Sequence, residues 1–262
     1  MASHMGSVKA IFSINAGRSG SEYLAKILDG AKNCVSHHEK RPAGFGASLQ
    51  AFNRGKMGPM SDVARIKASA IKQANAKGLI YIETNHCFVK GFGWPLMDAV
   101  AQEDIGIIIL RRNPTKIAES MLRIRSVPLN RVGPYFNLTP NRKNPAVPPP
   151  PFLGLPGGIG YRAARFLSLS WRALRRLFNL ASTAEQPEPF LKYQRAVTDW
   201  YIEETDALGR EFRRRHPGCQ YFEVELDELN SREGVQRLCD FFGIDMDAAQ
   251  VKIIGIPLNT KL

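Results

Sequence analysis

The chain has 262 residues, 44% of them hydrophobic, and a formal net charge of +12. That length buries a full core as one domain, and no apolar run reaches the roughly 18 residues of a membrane-spanning helix. The charge favours anionic partners: nucleotides, sulfated or phosphorylated compounds, acidic lipids or nucleic acid. Cys34, Cys87, Cys219 and Cys239 form no CxxC pair and no zinc spacing with histidine, so we expect reduced thiols, no metal site and a cytoplasmic location. The opening Met1-Ala2-Ser3-His4-Met5 reads as a tag remnant without a signal peptide's apolar region, which leaves residues 1–7 outside the domain.

In chain order, apolar periodicity predicts a strand over Val8–Ile14, a helix over Ser21–Leu28 and a short strand near Asn33–Ser36. A helix over Ser61–Ala76 and strands over Leu79–Glu83 and Ile105–Leu110 follow, then a helix over Pro114–Arg123. The remaining elements are helices over Leu191–His216 and Arg232–Phe242, with a strand over Gln220–Glu225 between them. Strands alternating with helices give an α/β fold: a P-loop-like three-layer sandwich, its central parallel sheet covered by helices on both faces. Prolines interrupt this rhythm from Val127 to Gly160, including the run Pro148–Pro151, and exclude regular helix or central strand there. We therefore expect a single domain over 8–262 with a proline-rich insertion at about 127–186, lying over one face and carrying substrate contacts.

Within that insertion, Tyr161 to Leu180 reads as a basic amphipathic helix. Arg162, Arg165, Arg172, Arg175 and Arg176 fall on one side, and Phe166, Leu169, Leu174, Leu177 and Phe178 largely on the other. Such a helix either packs on the domain with snorkelling arginines or meets an anionic membrane or an amphiphilic substrate. Arg213, Arg214 and Arg215 read instead as a solvated helix end before His216-Pro217-Gly218.

Two segments carry chemistry. The first strand breaks into Gly17-Arg18-Ser19-Gly20-Ser21, a glycine-containing turn opening a helix whose first N–H groups have no internal partners. That arrangement holds an anion. It is shorter than the nucleotide-triphosphatase loop and lacks its Gly-Lys-Ser/Thr, so arginine supplies the charge. The second segment is Arg111-Arg112-Asn113-Pro114 after an apolar strand, with Ser120 eight residues beyond Arg112; it places a guanidinium and a hydroxyl near one helix start.

With both segments in this order, the sequence resembles the bacterial-type members of the sulfotransferase family that uses 3′-phosphoadenosine 5′-phosphosulfate (PAPS). GRSGSEYL is similar to that family's 5′-phosphosulfate loop, and Arg112 with Ser120 to its 3′-phosphate motif. The stretch from Tyr221 to Leu229, with Leu238 to Ile244, is similar to a late strand, turn and "FLG" segment. The likeness runs from Lys9 to about Gly243 apart from the insertion. It implies in-line sulfuryl transfer to a hydroxyl or amine without metal, leaving 3′-phosphoadenosine 5′-phosphate (PAP). It further implies that Gly17, Arg18, Ser19, Gly20, Ser21, Arg112 and Ser120 bind the nucleotide, with Arg18 stabilising the leaving phosphate. Glu22 departs from the threonine many relatives carry and is expected to turn outward near the helix dipole.

The acceptor's proton needs a base. Glu39 resembles in placement the catalytic glutamate of tyrosylprotein sulfotransferases and is the first choice. His86 lies one residue beyond the catalytic histidine of cytosolic sulfotransferases; Glu83 and His37 or His38 complete the candidates. Glu39 could instead pair with Lys40 or Arg41, His86 be a buried hydrogen-bonding residue, and Glu83 orient another group. Lys261 could close over the nucleotide or belong to a plain polar tail. Tyr135, Phe136, Phe152 and the amphipathic helix suggest a hydrophobic or amphiphilic acceptor, although the arginines could hold an acidic sugar or peptide. The competing readings are a P-loop kinase-like enzyme, which lacks its lysine and magnesium carboxylate here, and a non-catalytic basic protein on nucleotide or membrane. No aromatic-interleaved basic ladder supports a nucleic-acid partner.

Overall fold

A computed structural model describes residues 8–153, 155, 158–177 and 188–256. The expected tag remnant at 1–7 and Lys261 lie outside the described residues.

Five parallel strands run β1 (Ala10–Ile14), β2 (Cys34–His38), β3 (Ile80–Thr84), β4 (Ile105–Arg111) and β5 (Gln220–Glu225), in the spatial order β2-β3-β1-β4-β5. Side chains alternate across β1, so Ala10, Phe12 and Ile14 enter one core and Ile11 the other. The first core gathers Phe88, Phe92 and Phe212, with Phe12 stacked on Phe88 at 4.8 Å. The second gathers Leu24, Ile27, Leu238 and Phe242. Helices therefore cover both faces, and the chain is an α/β three-layer sandwich.

The helices are α1 (Ser21–Leu28), α2 (Ala47–Asn53), α3 (Gly58–Asn75), α4 (Gly93–Leu96), α5 (Pro114–Arg123), α6 (Gly133–Phe136), α7 (Ile159–Leu177), α8 (Glu188–Arg215) and α9 (Arg232–Phe242). Gly106 lets α9 lie against β4, since a Cβ there would meet the Phe242 ring at 2.6 Å. Two boundaries bear on the site. Strand β2 extends two residues past Ser36, so Glu39 follows the strand end directly. Helix α5 starts as its sequence implies, with Pro114 in the first turn and the Asn113 side chain accepting from the Thr115 and Lys116 N–H groups. The short helices α2, α4 and α6 and a turn at Phe88–Phe92 kinked at Gly91 have no periodic signature; such short pieces are set by packing.

The proline-rich segment is irregular apart from α6 and is tied to α8 by polar pins. Arg142 pairs with the fully buried Glu204, whose carboxylate also accepts from the Ala146 and Val147 N–H groups at 3.0 and 2.7 Å. Trp200 Nε1 donates to the Val147 carbonyl and Tyr161 Oη to that of Pro128. Helix α7 packs through Tyr161 and Ser168, not through Phe166. Phe166 is 68% exposed, Ile159 61% and Leu167 53%. Packing on the domain thus does not cover the apolar side that Phe166 represents. The side chains of Arg172, Leu174, Arg175, Arg176, Leu177 and Phe178 lie outside those described. No described helix is long and apolar enough to cross a membrane. Helix α8 ends in the expected arginine run, where Arg214 and Arg215 pair with Glu211 in solvent.

Candidate active site

Ligands of parallel α/β sheets bind outside the carboxyl ends of the strands, and here four strands deliver candidate residues to that edge. Strand β1 leads to Gly17–Ser21 and its neighbour β4 to Arg112; their register, Ile14 beside Ile109, brings both turns out together. Strand β3 leads to His86 and β2 to Glu39, with His38 beside Thr84 and the Glu39 N–H donating to the Thr84 carbonyl at 3.2 Å. The edge opens into a cleft of about 560 Å³ lined by Gly17, Arg18, Gly20, Ser21, Glu39, His86, Arg112 and Ser120, among others.

The first turn is shaped from within. Ser13 Oγ donates to Asn15 Oδ1, Asn15 Nδ2 to the Ala16 carbonyl, and Ser19 Oγ to the same carbonyl at 2.7 Å. The Ser19 hydroxyl is therefore spent on the turn and lies outside the cleft lining. Arg18 at φ 69° and Gly20 at φ 94° both adopt left-handed backbone. For Gly20 this carries no penalty, but a Cβ there would sit 2.5 Å from Leu226 Cδ1. For Arg18 it is strain that the surrounding turn enforces.

The two anion motifs meet side chain to side chain. Arg18 Nε donates to Ser120 Oγ at 3.1 Å, and Arg112 Nη1 to the Arg18 carbonyl at 2.7 Å. Arg111 instead pairs with Glu223 on β5, so of the two adjacent arginines only Arg112 faces the cleft. Partial burial, then the positive charge of Arg18, push the Arg112 guanidinium below its ordinary value, and Asp227 opposes them. Arg123, one turn after Ser120 on α5, joins the lining and adds to this repulsion. A cleft end where the guanidinium groups of Arg18, Arg112 and Arg123 outnumber the carboxylates of Glu22 and Asp227 suits an anion. Glu22 lines the cleft rim and pairs with Lys26 at 3.0 Å along the exposed side of α1.

The base candidates sort by position. Glu39 Oε1 lies 2.5 Å from His86 Nδ1, and His86 Nε2 lies 3.0 Å from the Phe136 carbonyl. Both imidazole nitrogens thus face oxygen acceptors, an arrangement only the imidazolium satisfies. Burial pulls His86 down, but its contacts with Cys87 and Glu39 outweigh this and hold it up at about 10. Burial likewise raises Glu39, yet the hydrogen bond and charge of His86, helped by His38 and Lys90, bring its carboxyl down to about 2. The two titrate as one charged pair. Glu39 also adopts left-handed backbone, at φ 48°. Glu83 is fully buried away from the cleft, where Lys67, Asn85 and Tyr81 occupy its carboxylate at 2.7, 2.9 and 2.5 Å. His38 reaches the cleft with Nδ1 on the Thr84 carbonyl, whereas His37 lies against Lys40 and the Tyr81 ring.

On the remaining walls stand Met121, Ser126, Phe136 and Asn137 from α5 and the insertion, and Tyr23, Leu226, Asp227, Asn230, Gly255 and Ile256 opposite. Arg123 and Asp227 lie in segments the sequence singles out but are not among the site residues it names. Arg123 had a signal, three residues beyond Ser120 on the same helix face. Asp227 lies in the turn after β5, inside the Tyr221–Leu229 stretch, but nothing local marks it as acting on Arg112.

The structure is similar to "Sulfotransferase Domain from the Curacin Biosynthetic Pathway", with 13% identity and a TM-score of 0.49, covering 92% of this chain and 77% of that one. It is also similar to a sulfotransferase from Alicyclobacillus acidocaldarius, with 16% identity and a TM-score of 0.41, covering 89% and 80%. No family model matches the sequence, and no curated protein matches it.

Proposed function

We propose that the chain is a sulfotransferase that uses PAPS and modifies a hydroxyl or amine of a small amphiphilic acceptor. The observation that carries this reading is the joining of Arg18, Ser120 and Arg112 into one cationic grip beside the Glu39–His86 pair, in a single cleft. The donor set fits a nucleotide with phosphate at both ends. Gly17, Arg18, Gly20 and Ser21 would hold the 5′ end; Arg112, Ser120 and Arg123 would hold the 3′-phosphate. The cleft volume suits a ligand of that size.

When bound, PAPS supplies a sulfuryl group on a phosphate leaving group. The chain's own work is electrostatic and positional. Arg18 places positive charge where the 5′ end of the nucleotide rests. Glu39 takes the acceptor's proton on Oε2, the carboxylate oxygen that His86 leaves free. A carboxyl held near 2 is a weak base, but it suffices because the acceptor's proton turns strongly acidic as its oxygen is modified. His86, as a cation, keeps Glu39 ionised and ties it to Phe136 in the acceptor wall.

On that wall Phe136 and Met121 face the cleft beside Ser126 and Asn137, and Phe45 and Tyr135 back the Phe136 ring. The exposed Ile159, Phe166 and Leu167 on an arginine-rich helix without acidic residues suit a peripheral contact with an anionic membrane, from which an amphiphilic acceptor could be drawn. Thermal shift tests the donor: PAP raises the melting temperature and ATP with magnesium does not. Stabilisation by ATP with magnesium but not by PAP would replace the reading with a kinase-like one. Label transferred from radiolabelled PAPS into a lipid extract tests the acceptor class.

A further inference from the structure

Beneath the anion-binding turn lies a polar pair that the proposed chemistry does not use. Lys90, in the kinked turn Phe88–Phe92, is fully buried; its Nζ donates to Tyr201 Oη at 2.6 Å and stands 4.8 Å from the centre of that ring. Tyr201, on α8, is equally buried, and its oxygen also accepts the Gly17 N–H at 3.1 Å.

Two accounts fail to close. The Tyr201 oxygen receives two donors, so its own proton must point elsewhere, and no described residue accepts it. The Lys90 ammonium has one hydrogen-bond partner among the described residues, and that partner is uncharged. The other buried lysine shows what a closed account looks like: Lys67 has the Glu83 carboxylate at 2.7 Å and the Lys40 carbonyl at 2.5 Å. Glu39 lies within electrostatic reach of Lys90, but it is already engaged by His86. A buried ammonium without a paired anion is strongly unfavourable.

Both open accounts adjoin Gly17, which lines the cleft; Tyr201 and Lys90 stand directly behind it, outside the lining, and a Cβ built on Gly17 would meet Tyr201 Oη at 3.5 Å. An anion against this turn closes both, its oxygen accepting the tyrosine proton and its charge balancing the ammonium. We propose that Tyr201 is a binding residue for the anionic group held at Gly17, and that Lys90 is a positioning residue that acts through it. Charge already present in the turn's floor attracts the anion without reorganisation. The proposal rests on the nucleotide reading above and adds which end of the nucleotide these residues hold: the 5′-phosphate.

Calorimetric titration separates the two ideas. Wild type should bind PAP; failure to bind would overturn the nucleotide reading itself. With that established, Tyr201→Phe, which removes one oxygen, should weaken PAP roughly ten- to a hundred-fold, the range of a hydrogen bond to a charged group. The loss should follow the 5′-phosphate, recurring with 5′-AMP and vanishing with 3′-AMP. Lys90→Met should weaken PAP at least as much, Lys90→Arg should recover most of the affinity, and the Lys90→Met/Tyr201→Phe double variant should be no weaker than Lys90→Met. PAP binding by Tyr201→Phe within twofold of wild type overturns the proposal. So does an equal loss for 5′-AMP and 3′-AMP, which would mean a general distortion. Tyr201→Phe alone decides the matter if Lys90→Met does not fold.

Discussion

The two ends of the cleft are built differently. The cationic end rests on the carboxyl ends of β1 and β4, adjacent strands of a sheet buried on both faces; Gly17–Ser21 and Arg112 follow their strands within a short turn, and Ser120 and Arg123 come from α5 just beyond. The apolar end rests on an irregular segment whose shape depends on Arg142 and Glu204, 62 residues apart, and on carbonyls met by Trp200 and Tyr161. Groups that must be held tightly sit on the rigid sheet edge. Groups proposed to choose the acceptor sit on a stretch outside that edge.

Substitutions along the sheet edge, at Glu39 after β2 and Arg18 after β1, should show the largest effects on turnover. Glu39→Gln removes the proposed base and should lower kcat about 10²- to 10⁴-fold with PAP affinity retained; full turnover in this variant would sink the assignment. Arg18→Ala should lower kcat by about 10²- to 10³-fold, as loss of one charge-stabilising donor does.

At the apolar end the expected effect is on folding. Glu204→Gln strands the buried Arg142 and should cost about 3–5 kcal/mol in urea unfolding, with the acceptor KM rising more than that for PAPS. An unchanged midpoint would show that the insertion stands without this pin, erasing the contrast between the two ends.

The Glu39–His86 pair joins the ends, and pH tests it. Glu39 is depressed from 4.5 to about 2, so its stabilisation is present above 4.5 and lost as pH falls toward 2. His86 is raised from 6.5 to about 10, so its share is full below 6.5 and fades as pH rises through 10. Stability from the pair therefore peaks between these ordinary values, at pH 4.5 to 6.5. In His86→Ala, burial of Glu39 goes unopposed by the imidazolium. The acid limb of kcat/KM should then move up past pH 4.5; an unmoved limb would remove His86 from its role.

The smallest effect belongs to α7. Phe166→Asp should leave PAP binding unchanged and reduce co-sedimentation with phosphatidylserine vesicles severalfold at low salt. Wild type that ignores such vesicles would end the membrane reading.

What neighbours along the chain decide is legible in the residues alone. The apolar runs specify the strands, the glycines at 17 and 20 the turn after the first, and Asn113-Pro114 the start of α5, each through local backbone conformation. Only the tertiary structure decided partners. Glu39, flanked by Lys40 and Arg41, turns to His86, 47 residues away; Arg18 meets Ser120 across 102 residues, and Lys90 meets Tyr201 across 111. Those pairings follow from the order β2-β3-β1-β4-β5 and from where α8 crosses it. Packing of the whole core selects that order, and no short stretch of residues encodes it.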